Sequence, residues 1–235
     1  MRKCTNQLYY DPFCVILDTR NLDYVVVDGF KFRMSTQLNM VQRVKGNPWF
    51  EGVRPDDIVL DIGANIGAIA IPLAFKAEKV YAVEPLWWDE LERNTDLNGV
   101  DNIEVLRCGI GKDFSSEQIE FSSKKELITL VPLASLLNKI GKVDFLKIDC
   151  EGYEWFIKPW EVFGIRELRI EFHVRRGHRK GDTQGLGMWL HMLKGAGYSV
   201  TIVGDYPLLD PRFSRTVLVK ASQLGAQLLG LDEIR

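Results

Sequence analysis

Short apolar runs alternate with polar, glycine-bearing turns along most of this chain. Runs rich in β-branched and apolar residues predict strands near 58–61, 79–83, 103–107, 143–149, 166–172, 198–203 and 215–220. Between them, apolar positions at helical spacing predict helices near 66–77, 86–98, 132–140, 153–162 and 185–195. This alternation implies an α/β fold, a doubly wound and mostly parallel seven-stranded sheet. Only 204–214 separate the last two strands, which are expected to pair as an antiparallel hairpin. Pro72 is expected to kink the first helix or tighten its early turns. Weak alternation at 118–121 and 127–131 allows short extra strands.

Ahead of this body, the runs 13–17, 24–27 and 30–34 predict a small antiparallel β-extension, and 37–44 a helix ended near Gly46. Asn47-Pro48 and Arg54-Pro55 punctuate the join. The expected division is therefore 1–54 for the extension and its helix, and 55–235 for the catalytic domain.

Composition changes this picture little. Of 235 residues, 46% are hydrophobic and 26% charged, with net charge −2, so nothing global attracts the chain to nucleic acid or a membrane. The four cysteines form no CxxC pair, which argues against a zinc ribbon, a redox motif or a disulfide scaffold. A reducing cytoplasm is the expected home. The greasiest stretch, 58–75, contains Asp61, Asn65 and Pro72 and reads as buried strand and helix, so no membrane span is expected.

The chemistry concentrates where the first strand of the main body ends. Asp61 is followed by the turn Gly63-Ala64-Asn65-Ile66-Gly67, and Glu84 ends the next strand 23 residues after Asp61. Such a corner suits a nucleoside, with backbone approaching the ligand closely, free N–H groups at a helix start, and an acid for the ribose hydroxyls. A dinucleotide site wants G-x-G-x-x-G, but Asn65 and Ala68 stand at two of those glycine positions. The NAD reading is weakened accordingly. A ligand without phosphate suits the turn better, and S-adenosylmethionine is such a ligand. An acid in the first turn would repel pyrophosphate but favour an ammonium or sulfonium group.

Two more strands carry charge at alternating positions. Lys147, Asp149 and Glu151 share one face if the strand runs through them, and charges there are costly unless paired or functional. Lys147 is expected to neutralise Asp149. A buried structural ion-pair network is the competing reading. Glu171 and His173 repeat the spacing on the next strand. An imidazole with an ordinary pKa of about 6.5 suits proton removal near neutral pH. A structural histidine, or a divalent metal held by Asp149, Glu171 and His173, are the alternatives.

At this point the chain resembles a known family. The run 59–67 is similar to the first motif of class I S-adenosylmethionine-dependent methyltransferases, and 80–85 (Val-Tyr-Ala-Val-Glu-Pro) to the second. The stretch 145–154 (Phe-Leu-Lys-Ile-Asp-Cys-Glu-Gly-Tyr-Glu), with Glu171-Phe172-His173, resembles the FkbM family, whose members generally modify hydroxyl groups. The resemblance covers roughly 55–203. Two departures stand out: 130–137 reads Leu-Val-Pro-Leu-Ala-Ser-Leu-Leu where the family often has Thr-Leu-Asp-Asp-Leu-Leu, and 108–113 reads Cys-Gly-Ile-Gly-Lys-Asp. It implies a Rossmann-like methyltransferase that takes its methyl group from S-adenosylmethionine. Asp61 and Gly63 would line the methionine end, Asn65 and Gly67 shape the turn, and Glu84 with Pro85 hold the ribose. Backbone around Gly109 and Ile110 would contact adenine, with Leu86 and Trp87 as walls or as ordinary packing. Asp149 would lie beside the methyl group, with Lys147, Glu151, Glu171 and His173 around it.

The acceptor is not specified. Arg175, Arg176, His178, Arg179 and Lys180 crowd the loop after the His173 strand. They are a solvated face, or they grip an anionic acceptor such as a phosphosugar, a lipid head group or RNA. Gly177, Gly181, Gly185 and Gly187 would let that loop act as a lid. A small-molecule, glycan or lipid acceptor is expected. Base-nitrogen methyltransferases of tRNA often carry Asn/Asp-Pro-Pro-Tyr/Phe where this chain has Asp149-Cys-Glu-Gly, which argues against that competitor. A non-catalytic nucleoside-binding module is the remaining alternative.

Overall fold

The computed structural model describes residues 16–17, 24–33, 41, 47–121, 124–174, 183–203 and 216–224. Three strands open the chain: β1 (Ile16–Leu17), β2 (Tyr24–Val27) and β3 (Phe30–Arg33), paired antiparallel in that order. Asp28 and Gly29 turn the β2–β3 hairpin, both at positive φ. The expected helix over 37–44 lies outside the described residues, Val41 apart.

The main sheet takes β4 (Ile58–Ile62), β5 (Lys79–Val83), β6 (Ile103–Leu106), β10 (Phe145–Ile148), β11 (Glu167–His173), β12 (Tyr198–Val203) and β13 (Thr216–Gln223). Its order in space is β12-β13-β11-β10-β4-β5-β6. The run from β11 to β6 is parallel, while β13 is antiparallel to both β11 and β12. The doubly wound, mostly parallel sheet and its terminal antiparallel hairpin are thus present. A second small sheet joins β7 (Gly109–Ile110), β8 (Ser115–Phe121) and β9 (Lys124–Val131) in the order β7-β9-β8, so the weak alternation did mark strands.

Alternation divides the sheet into two faces. Leu60, Ile62, Leu146, Ile148, Leu168, Ile170 and Phe172 pack with α3 (Leu133–Ile140) and α4 (Thr183–Gly195). Val59, Val80, Ala82 and Phe145 pack with α1 (Ala70–Ala74) and α2 (Trp88–Leu97). Both faces are covered, which is why the central strands read as nearly continuous apolar runs. The N-terminal strands add Val25, Val27 and Phe32 to a third cluster with Ile66, Ile71 and Trp87. Asn94 of α2 and Asn98 at its C-cap fasten β3 there, accepting from Arg33 N at 2.9 Å and Lys31 N at 2.8 Å.

Three expectations change. The first helix shrinks to five residues because Asn65 and Gly67 hold left-handed backbone that no α-helix contains. Pro72 stands in its first turn, where a missing N–H leaves no intrahelical bond unmade. The expected helix at 153–162 is two 3-10 turns, Tyr153–Phe156 and Pro159–Val162, separated by extended Ile157 and Lys158. Pro159 disfavours helical backbone at Lys158. The strand expected over 143–149 ends at Ile148, so Asp149 and Glu151 belong to the following turn. Their spacing therefore places no common strand face beneath them.

Candidate active site

A cleft opens at the carboxyl ends of β4, β5 and β10, where open α/β sheets bind ligands. Gly63, Asn65, Glu84, Pro85, Gly109, Ile110, Lys147, Asp149 and Glu151 all line it, together with Leu86 and Trp87. These expected residues come from 80 or more positions of chain yet converge on one wall because β4, β5 and β10 are neighbours.

The turn after β4 is closed upon itself. Gly63 N and Ala64 N donate to Val83 O, Asn65 N to Glu84 Oε2, Ile66 N to Asn65 Oδ1, and Gly67 N to Ala64 O. The expectation of free N–H groups here is corrected: all five from Gly63 to Gly67 are donated within the corner. The turn supplies shape rather than donors, which disfavours a phosphate and suits a phosphate-free nucleoside. Gly63 is required twice over. Its φ is +79, and a Cβ there would stand 1.7 Å from the Asp149 carbonyl oxygen. Asp149 is thereby packed directly onto the turn.

Glu84 is 5% exposed and accepts from Leu86 N (2.8 Å) and Trp87 N (3.0 Å) on Oε1, and from Asn65 N (2.8 Å) on Oε2. Burial dominates its titration and lifts the carboxyl above its ordinary range, opposed by those three N–H groups and by Lys147. A carboxylate offers about four acceptor positions. Three are taken, so in this arrangement Glu84 has room for one ribose hydroxyl rather than both.

Lys147 does not pair with Asp149 as expected. Its Nζ lies 2.9 Å from Asp61 Oδ1 and donates to Gly63 O at 2.7 Å. The reason is register: Lys147 stands beside Asp61 on the adjacent parallel strand. Burial favours the neutral amine, but Asp61, then Asp149, hold the ammonium charged above its usual range. Asp61 Oδ2, wholly buried, has no hydrogen-bond partner among the described residues. Asp61 itself lies beneath the cleft wall and not on it.

His173 is 3% exposed and stands behind the cleft wall. Its Nδ1 faces Glu154 Oε1 at 3.1 Å, and its Nε2 lies 3.4 Å from Glu151 Oε2 and 3.9 Å from Asp149 Oδ1. Burial works against the charged ring. The Glu154 hydrogen bond and charge, then Asp149 and Glu151, outweigh it and raise the pKa to about 9. At neutral pH the ring is an imidazolium, with no lone pair to take a proton. Glu171, two residues before His173 on β11, is half-buried and is not part of the cleft wall. Among the described residues, no three His, Cys, Asp or Glu side chains are grouped to hold a metal ion. Cys150 has its thiol pushed well up by burial and by Glu154, so it is no ready nucleophile.

Trp49, Glu154 and the hairpin residues Ile119, Ile128 and Leu130 escaped the sequence reading. Trp49, on the 3-10 turn Pro48–Phe50, lines the cleft with its ring centroid 5.7 Å from Lys147 Nζ. Arg169 holds that turn by donating to Pro48 O and Glu51 O. Glu154 is wholly buried behind the wall. Its only signal was its place at the end of the 145–154 motif. The β8–β9 hairpin supplies Ile119, Ile128 and Leu130, and Lys124 ties it to the Glu84 loop through Leu86 O (2.8 Å) and Asp89 Oδ1 (2.7 Å). Arg175, Arg176, His178, Arg179 and Lys180, with Gly177 and Gly181, lie outside the described residues. Gly185 and Gly187 sit in α4. No helix among the described residues is long and apolar enough to cross a membrane.

Comparison with known proteins agrees with this geometry. A family model described as "Methyltransferase FkbM domain" matches residues 61–200. An uncharacterised protein of Methanocaldococcus jannaschii is 31% identical over 122 residues, covering 50% of this chain and 44% of that one. A tRNA (guanine(37)-N(1))-methyltransferase of Pyrococcus abyssi is 29% identical over 136 residues, 54% of this chain and 38% of that one. The chain spans less than half the length of these curated relatives. Among solved structures, a precorrin-6y C5,15-methyltransferase from Geobacter metallireducens superposes with a TM-score of 0.52 at 13% identity, covering 83% of this chain and 94% of its own. That likeness is one of fold.

Proposed function

The chain belongs to the FkbM methyltransferase family, and from that membership we propose that it methylates an acceptor hydroxyl using S-adenosylmethionine. One observation carries the reading: the Asp149 carbonyl rests on Gly63, so the nucleoside turn and the acidic pair Asp149 and Glu151 face one cleft that ends at Glu84. The cradle at Gly63, whose neighbouring N–H groups are already donated within the corner, fits a phosphate-free nucleoside. When bound there, S-adenosylmethionine supplies a methyl group on a positively charged sulfur.

The chain's own part is orientation and proton transfer. Glu84 accepts a ribose hydroxyl, and Gly109 with Ile110 shapes the adenine end. A carboxylate oxygen of Asp149, at the cleft, would orient the acceptor hydroxyl and take its proton, leaving the oxygen lone pair to accept the methyl group while the sulfur keeps the electron pair of its broken bond to carbon. His173, already protonated, holds Asp149 and Glu151 side by side by offsetting their mutual repulsion. This assigns the base to a cleft carboxylate and gives His173 an electrostatic role.

A second reading, methylation of RNA, is supported by the match to the Pyrococcus abyssi tRNA enzyme. Calorimetric titration with S-adenosylmethionine and with NAD tests the cofactor, and absence of heat with S-adenosylmethionine removes the proposal. Labelled methyl transfer into separated small molecules, lipids and RNA then distinguishes the acceptors.

A further inference from the structure

Glu154 does not itself line the cleft, yet its carboxylate reaches both elements that carry the acidic pair and its partner ring. Oε1 accepts from His173 N at 2.7 Å and faces His173 Nδ1 at 3.1 Å. Oε2 accepts from Gly152 N at 2.8 Å and lies 3.7 Å from Cys150 Sγ. One side fixes the end of β11, and the other fixes the turn after β10 that bears Asp149 and Glu151. That turn needs fixing. Glu151 and Gly152 stand consecutively in left-handed backbone, at φ 55 and 104, and only the glycine adopts it without strain.

We propose that Glu154 is a positioning residue: a single buried carboxylate that sets the Glu151–Gly152 turn and holds the His173 ring as a donor toward Glu151 and Asp149. The role rests on reading the cleft as the S-adenosylmethionine site. Among the described residues, three charged groups face the ring. Glu154 faces it from the 3-10 turn, and Asp149 and Glu151 from the loop after β10. On β13 its register partner is the uncharged Thr216. Lys147 is turned away to Asp61. Carboxylates face both ring nitrogens, and Glu154 supplies the shortest contact.

The test is a pH titration of the histidine ring nitrogens by long-range proton–nitrogen NMR on the full chain. The His173 signals are separated from His178 and His191 by a His173→Gln control. In the wild type, the ring should stay doubly protonated through neutral pH. In Glu154→Gln, its midpoint should fall by about one pH unit or more, and in Glu154→Asp most of that fall should be restored. Binding of S-adenosylhomocysteine by the wild type is measured alongside. A wild-type ring that is neutral at pH 7, or a midpoint unmoved in Glu154→Gln, overturns the assignment; sequential resonance assignment also identifies the wild-type ring, so that result stands even where a variant fails to fold. Absence of S-adenosylhomocysteine binding by the wild type overturns the methyl-transfer reading, and the role with it, independently of the ring titration.

Discussion

Lys147 Nζ lies 2.9 Å from Asp61 Oδ1 with both side chains sealed from water. The pair bridges β10 and β4 directly under the nucleoside turn, and the same ammonium grips the Gly63 carbonyl. Taking two charges out of water is costly, so a buried pair is weak evidence of net stabilisation, but stripping one partner exposes the full penalty of the other. Lys147→Met should therefore destabilise the fold by about 3–5 kcal/mol in urea unfolding. Adding Asp61→Asn to it should recover part of that loss. A single variant within about 1 kcal/mol of the wild type would show that the pair is not buried as described.

Glu84→Ala should weaken S-adenosylmethionine binding by about tenfold to a hundredfold, the worth of a hydrogen bond to a charged group. It should also lower stability, because Asn65, Leu86 and Trp87 lose the acceptor for their N–H groups. Glu84→Gln separates the two effects by keeping an oxygen toward the backbone. Calorimetry on both variants checks this, and unchanged affinity in both would remove Glu84 from the ribose contact.

Asp61 and Glu84 were legible in the sequence because each ends an apolar run, and strand ends in a parallel sheet share one edge. The central strands β4, β10 and β11 were legible because they are buried on both faces. What sequence hid was pairing across distance. Alternation tells which face Lys147 occupies but not that Asp61 is its neighbour, which depends on β10 lying beside β4. The turn that brings Trp49 to the cleft is held by Arg169, 120 residues further on. The charge on His173 is equally hidden, since it depends on three carboxylates brought in from a turn and a loop.

That charge makes stability depend on pH. His173 has its pKa raised in the folded chain from 6.5 to about 9. Between those values the folded ring keeps a proton that the unfolded chain releases, so stability falls as pH rises. The contribution, about 3 kcal/mol, is fully present below about pH 6.5 and lost as pH climbs through about 9. Urea unfolding of the wild type at pH 6 and pH 9.5 should show the loss. In His173→Gln the difference should shrink markedly. An equal pH dependence in the two proteins would place the titrating group elsewhere.

Gly63 and Gly99 give a controlled comparison of two causes of glycine at positive φ. Both hold left-handed backbone, at φ 79 and 64. A Cβ at Gly99 meets nothing within 4 Å, whereas one at Gly63 would overlap the Asp149 carbonyl oxygen at 1.7 Å. Gly99→Ala should then show conformational strain alone, about 1–2 kcal/mol. Gly63→Ala carries the same strain plus a clash with backbone that has no side chain to rotate away. It should lose at least about 2 kcal/mol more in urea unfolding. It should also displace Asp149 and weaken S-adenosylhomocysteine binding, while Gly99→Ala binds as the wild type does. Equal losses in the two variants would mean that Asp149 does not rest on the turn, and the convergence of cofactor corner and acidic pair would have to be abandoned.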